Sequence, residues 1–348
     1  MLYSGIDLHK RSVVIHTVDA AGTTVREASL PTSRPAVVAY FRTLPDTHRA
    51  VVECTGTWYW MRDLLATEGV DLRLGHAKYL KAISYAKVKT DRIDARTLAQ
   101  LLRVSLVPEA HMISPAQREM RDLLRSRMQL MTRRTRCLHT ISSLLAKYNV
   151  ATPAELPEFP RLQVTWQEEQ RALLTQQVKA LDRLLRHQLI PTPEAQRLVW
   201  VPGIGATVAA TLLLEIDDIA RFPSMRQFHS YCRLVPGADN SGGKTRHTRS
   251  KDGNRYLKLA FHHAAVKAVR HAPEIAAFHQ RWVRRKGARI ARALVAKELA
   301  TIVYAILSKQ EDYNGRFKGQ AVAYRKRPQW PRLTSPPSLT ERSDPPRR

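Results

Sequence analysis

The chain has 348 residues, 44% of them hydrophobic, and carries 57 Lys and Arg against 30 Asp and Glu, a formal charge of +27 and an isoelectric point near 10.6. That length implies two or three domains, and that charge selects polyanionic partners, nucleic acid before an anionic membrane surface. No apolar run approaches the roughly 20 residues of a membrane span, MLYSGIDLHK is not a signal peptide, and Cys54, Cys137 and Cys232 are too scattered for a disulfide scaffold or a cysteine zinc site, so cytoplasm is the expected compartment.

Residues 2–8 (LYSGIDL), 12–19 (SVVIHTVD) and 24–30 (TVREASL) are short and rich in β-branched or apolar residues, with a turn at Ala21-Gly22. They predict an antiparallel meander. A helix over 35–44 with Pro near its start follows, then a strand at 49–54 (RAVVEC), a helix over 57–68, a fifth strand at 71–76 and a helix carrying Asp91 and Asp94. A meander followed by parallel β-α units in one sheet is the ribonuclease-H-like arrangement, an α/β fold.

The segment KVKTDRIDARTLAQLL, residues 87–102, poses a specific question. At 3.6 residues per turn, Asp91, Asp94, Leu98, Leu101 and Leu102 fall on one side, so the acids continue the apolar stripe. Taken alone, Asp-x-x-Asp after Thr90 is most simply an N-capped first turn, where the helix dipole favours acids. Asp7, in mid-strand, is costly to bury unless paired or metal-bound. Glu53 ends the parallel neighbour of the first strand. In the expected fold, Asp7, Glu53, Asp91 and Asp94 can converge. Four carboxylates at one point call for divalent cations, and hard oxygen ligands suit Mg²⁺ or Mn²⁺. Two such ions can stabilise the attacking and leaving oxygens of a phosphodiester. His9, Lys10, Lys87, Lys89 and Arg92 would then meet phosphates.

From about 116 the pattern changes. Leu123-Leu124, Leu130-Met131, Cys137-Leu138 and Leu144-Leu145 recur every seven residues, which predicts a long helix in a coiled coil. Residues 116–148 hold eight basic residues against two acids. After a Pro-rich break at 151–160, Leu174, Val178, Leu181 and Leu185 predict a second helix, pairing within one chain or between chains.

LVWVPGIGATVAATLLLEI, residues 198–216, has the form of a helix-hairpin-helix. Gly203 and Gly205 would let backbone N–H groups approach a phosphate; the simpler reading is an ordinary turn between helices. Downstream, Ser241 precedes Gly242 and Gly243, followed by Lys244, Arg246, Arg249 and Lys251 and a helix from about Asn254. A hydroxyl among such cations can attack a phosphodiester, although a Ser-Gly-Gly turn in a DNA-contacting loop accounts for the same tripeptide. His262-His263 has no matching ligand cluster and reads as helix surface or core. Residues 318–348 carry eight basic residues and six prolines and predict a disordered basic tail.

Asp7 in GIDLHK, Glu53 in VECTG and Asp91 with Asp94 in KTDRIDARTLAQLL resemble the metal-binding motif of DEDD-type insertion-sequence transposases. VPGIG followed by NSGGKTRHTRSKDGNRYLK resembles their C-terminal transposase domain, so that the likeness runs over about residues 3–310. The resemblance implies a RuvC-like N-terminal domain, related to Holliday-junction resolvases. It implies a DNA transposase that excises and inserts its own element, with Asp7, Glu53, Asp91 and Asp94 as catalytic metal ligands. By motif match it makes Ser241 a nucleophile that forms a transient phosphoserine link, in a composite site within a multimer. Some members are recombinases guided by a structured RNA that pairs with donor and target DNA, so the expected partners are DNA, a guide RNA and further copies of the chain as a dimer or tetramer. The expected organisation is a RuvC-like catalytic domain over 1–112, a coiled-coil arm over 113–192, a C-terminal transposase domain over 193–315 and the tail over 316–348, in a cytoplasmic, nucleoid-associated protein. The competing function is a Mg-dependent, junction-resolving endonuclease that cuts with water.

Overall fold

The computed structural model describes residues 1–45, 47–83, 90–189, 191–241, 244–248 and 252–322, with backbone alone for 82, 238–241 and 244–248. The chain forms two compact units, Met1–Pro115 and Ala116 onward.

The first unit runs β1 (Leu2–Leu8), β2 (Ser12–Val18), β3 (Thr24–Pro31), α1 (Arg34–Arg42), β4 (His48–Glu53), α2 (Tyr59–Thr67), β5 (Asp71–Gly75), α3 (Ala77–Ile83) and α4 (Asp91–Arg103). One mixed sheet has the order β3-β2-β1-β4-β5, with β1 antiparallel to β2 and parallel to β4. This is the ribonuclease-H-like order, and it puts β1 at the centre. The strand burial follows from that place. β2 is buried almost throughout, whereas β3 at the edge alternates exposed and half-buried residues.

Each face of the sheet has its own core. Ile6, Val13, Ile15 and Val52 pack with Val37, Tyr40 and Phe41 of α1 and Met61 and Leu65 of α2. On the other face Val51 packs with Leu80 of α3 and Leu98 and Leu102 of α4. α4 lies directly on β1 because residue 5 is glycine. A Cβ there would fall 2.5 Å from the Ala99 nitrogen and 2.8 Å from the Leu98 Cβ, and closer still to the Ala95 carbonyl oxygen. α3 is an element that the strand-and-helix pattern did not predict.

The second unit begins with the long helices α5 (Pro115–Tyr148) and α6 (Glu158–Gln188), separated by a 3-10 turn at Pro153–Glu155. Pro160 falls inside the first turn of α6, where a missing N–H costs nothing, so the helix starts before the predicted break ends. The two helices meet within the chain. Arg127 donates to Asp182 (Nε–Oδ1 2.5 Å), and Cys137 Sγ lies 3.4 Å from Gln170 Oε1. Leu174, Val178 and Leu185 of α6 are buried. Phe159, Leu162, Trp166, Leu173 and Leu184 are exposed, and at 100° per residue they fall on one separate stripe of that helix.

Then follow α7 (Pro193–Leu198), α8 (Ala206–Ile216), α9 (Met225–Tyr231), β6 (Gly237–Ser241), β7 (Lys244–Thr248), α10 (Arg255–His271), α11 (Pro273–Lys286), α12 (Ala288–Lys309), β8 (Arg316–Phe317) and β9 (Gln320–Ala321). Their core joins Leu198, Leu212, Phe228, Phe261, Ala264, Val295, Leu299 and Val303. Leu124 of α5 and Leu185 of α6 pack with Ala210 of α8. The beginning of the predicted tail is structured instead. Phe317 is 1% exposed in the core, and β9 pairs with β8, while 323–348 lie outside the described residues. Among the described residues, no helix is long and apolar enough to cross a membrane.

Candidate active site

The site in the first unit is built by the sheet. Side chains alternate along a strand, so Asp7 shares the face of Gly5, the face that α4 covers. Ile6 pairs with Val52 in the parallel ladder, and Val51 packs toward α4. Glu53, two residues beyond Val51, therefore ends β4 on that same face, beside the end of β1. α4 starts with Thr90 as N-cap, its hydroxyl accepting from Ile93 N at 3.3 Å. The cap reading and the site reading of Asp91 and Asp94 are thus compatible. Both acids sit in the capped first turn, at the head of the buried stripe Ala95, Leu98, Ala99 and Leu102.

Asp7, His9 and Asp91 offer ligand atoms that all lie within 4.8 Å of one another. His9 Nε2 is 3.0 Å from Asp7 Oδ2 and 3.5 Å from Asp91 Oδ1. Burial pushes the Asp7 carboxyl above its ordinary value; His9 opposes the rise, and Asp91 and Asp94 add to it. The structure therefore brings Asp94 within electrostatic reach of Asp7, but neither Asp94 nor Glu53 belongs to the tight group. His9 does, although its place in a basic stretch of sequence points to phosphates. Two carboxylates and an imidazole at this spacing, on a partly desolvated acid, fit a divalent cation.

The basic residues expected around the acids have different surroundings. Lys10 is exposed on the β1–β2 turn, next to His9. Arg92 is mostly exposed and reaches Glu27 of β3 (Nε–Oε1 3.2 Å). Lys87 and Lys89 lie outside the described residues, as do Gly242, Gly243, Arg249 and Lys251.

In the second unit, the segment read as a loop contains a hairpin. β6 and β7 pair antiparallel, Asp239 opposite Arg246 and Ser241 opposite Lys244, so Ser241 is the last residue of β6 at the tip. The two glycines of the predicted turn, Gly203 and Gly205, have different surroundings. Gly203 has φ 85°, and a Cβ on it would lie 2.8 Å from Ala268 N of α10 and nearer still to the Ala264 carbonyl. Its bareness serves helix packing. Gly205 is the N-cap of α8 and faces open space.

The sequence comparisons agree on what this chain resembles. A family model described as Transposase, of the DEDD type in IS110, matches residues 4–150, and one described as Transposase IS116/IS110/IS902 family matches residues 195–280. A probable family 20 transposase of Pseudomonas aeruginosa is 27% identical over 89% of this chain and 97% of its own length. The transposase for insertion sequence element IS1328 of Yersinia enterocolitica is 26% identical over 73% of this chain and 80% of its own. The transposase for insertion sequence element IS1111A of Coxiella burnetii is 25% identical over 75% and 77%. An acid cluster on a ribonuclease-H-like sheet, followed by a second matched region, makes this chain a DEDD-type transposase of the IS110 family, an enzyme that cuts and rejoins DNA.

Proposed function

We propose that the protein excises and inserts an insertion-sequence element with two sets of groups, the acids of the first unit and the serine of the second. The observation that carries this reading is the meeting of Asp7, His9 and Asp91 at the end of the central strand. Asp7, Asp91 and Asp94, with Glu53 at the end of the neighbouring strand and His9 beside them, would hold Mg²⁺ or Mn²⁺. Such an ion, when bound, draws electron density from a phosphodiester and neutralises the charge that develops on its oxygens.

Ser241 is the nucleophile in this reading. Its Oγ bonds to phosphorus as the bond from phosphorus to a deoxyribose oxygen breaks, and the hydroxyl proton ends on that leaving oxygen. A second DNA end reverses the step and rejoins the strand. Lys244 and Arg246 follow Ser241 on β7, and with Arg249 and Lys251 they supply positive charge for the phosphate oxygens. Lys10, Lys87, Lys89 and Arg92 serve the same purpose near the acids, and the open N-terminus of α8 at Gly205 offers backbone N–H groups to a backbone phosphate. The finer domain division, with a coiled-coil arm over 113–192 and a transposase domain over 193–315, gives pairing and chemistry to different segments. The exposed apolar stripe of α6 supports self-association as a dimer or tetramer. Action on chromosomal DNA would place the protein in the cytoplasm, on the nucleoid.

The test uses a labelled element end and purified full-length protein. Asp7→Ala should lower strand cleavage by about a thousandfold or more, from loss of electrostatic stabilisation at the reacting phosphate. Ser241→Ala should abolish covalent attachment of the label to protein. Hydrolysed ends formed at an unchanged rate by Ser241→Ala would assign the attack to water, as in a structure-specific endonuclease.

The charge of +27 also supports a second nucleic acid, an element-encoded guide RNA. A discrete RNA should accompany the protein through purification without nuclease, and its absence at low salt would remove the guide from the scheme.

A further inference from the structure

The segments before and after the β6–β7 hairpin are fastened to each other. Before the hairpin, Tyr231 O accepts from Asn254 N (2.6 Å), and Arg233 Nε donates to Gly253 O (2.7 Å). Gly253 has φ 93°, and a Cβ there would press into the Tyr231 backbone, 2.9 Å from its carbonyl carbon. The chain leaving the hairpin is thus held against the chain entering it.

Asn254 does two further things. Its Oδ1 accepts from Tyr256 N (2.8 Å) and Leu257 N (3.1 Å), which starts α10. Its Nδ2 donates to Glu215 Oε2 at 2.6 Å. Glu215, in the last turn of α8, is 2% exposed in its side chain. Arg125 of α5 grips the same carboxylate with two bonds, Nε–Oε1 2.5 Å and Nη2–Oε2 2.7 Å, and its guanidinium lies 4.6 Å over the Tyr256 ring.

A buried charge of this kind is a poor source of stability, because desolvation offsets much of the attraction. What a bidentate grip plus an amide does supply is direction. Direction matters at this place. Ser241 lies four residues along β6 from Gly237 at the foot of the hairpin, which is roughly 13 Å at the usual rise per residue. A tilt of about 10° at the foot would move the tip by about 2 Å, and displacements of about 1 Å can already cost about a hundredfold in rate.

We propose that Glu215 is a positioning residue for strand cleavage: held by Arg125, it fixes through Asn254 the angle at which the hairpin presents Ser241. This rests on the reading of Ser241 as nucleophile. Asn254→Ser separates the two tasks of Asn254, since serine still caps the helix but cannot donate to Glu215 in the same way. Full-length Asn254→Ser and Glu215→Gln should show covalent capture of a labelled DNA end slowed about 10- to 100-fold. DNA affinity at fixed salt should stay within about twofold, because no phosphate contact is removed.

Capture by Asn254→Ser within twofold of wild type, per folded molecule by thermal unfolding, would overturn the inference even if the melting temperature falls. If Ser241→Ala abolishes capture while Asn254→Ser is unaffected, the positioning role alone fails. If Ser241→Ala captures DNA normally, the nucleophile reading fails and takes this inference with it.

Discussion

On the proposed reading, the two units prepare their reacting groups by different physical means. In the first, the acids stand on a packed helix–sheet contact: Gly5 lets α4 lie on β1, and Asp7 and Asp91 meet as a result. In the second, Ser241 stands at the tip of a polar hairpin whose flanking segments are tied together by hydrogen bonds from Asn254 N to Tyr231 O and from Arg233 to Gly253 O. One site depends on close contact of apolar surfaces, which tolerates almost no added volume. The other depends on a few directed bonds, which tolerate volume but not a lost donor.

That contrast is sharpest at Gly5. Gly5→Ala sets a methyl against the backbone of α4, and the helix must move or the unit must strain. The expected destabilisation is about 3 kcal/mol, in the range of overpacked cores, with Asp91 drawn away from Asp7. Chemical denaturation of the first unit, expressed as residues 1–115 or followed in the whole chain by hydrogen exchange, checks it. A variant as stable as wild type would mean that α4 does not rest on β1 as described.

Acidity separates the units with a smaller effect. Burial, with Lys297 adding to it, pushes His229 of the second unit down to about 4 from an ordinary 6.5. A histidine held neutral in this way contributes stability that is fully present above pH 6.5 and is lost as pH falls toward 4. For His229 the expected loss is about 2 kcal/mol at pH 5 relative to pH 8. Asp7 works in the opposite sense, since its raised value makes protonation easier in the folded state than in the unfolded one. Thermal unfolding of His229→Gln across this range should show a flatter acid slope than wild type, and an identical slope would remove His229 as its cause.

Legibility in the sequence followed the range of the interactions. β1 to β5 announce themselves through runs of β-branched residues and short turns, and their order was readable. α3 is not, because AKYLKAI is only about two turns long and follows a strand directly, without a long apolar period. The β6–β7 hairpin was read as a loop because GADNS and KTRHT are polar and lack the apolar alternation that marks a half-buried strand. His9 was placed with phosphates because nothing near it in sequence shows that the turn after β1 meets the start of α4. Gly203 looked like a phosphate-binding glycine, yet the residues that demand its bareness lie in α10, some 60 positions on. Glu215 is silent for the same reason: its partners are 90 and 39 positions away.

Thr90 gives the acid cluster a property beyond shape. By opening a helix at that point, it turns the positive end of the α4 dipole toward Asp91 and Asp94. The carboxylates are thereby partly compensated by the peptide chain itself, before any ion arrives. In the proposed scheme, part of the charge compensation that an arriving cation would otherwise supply is thus built into the backbone.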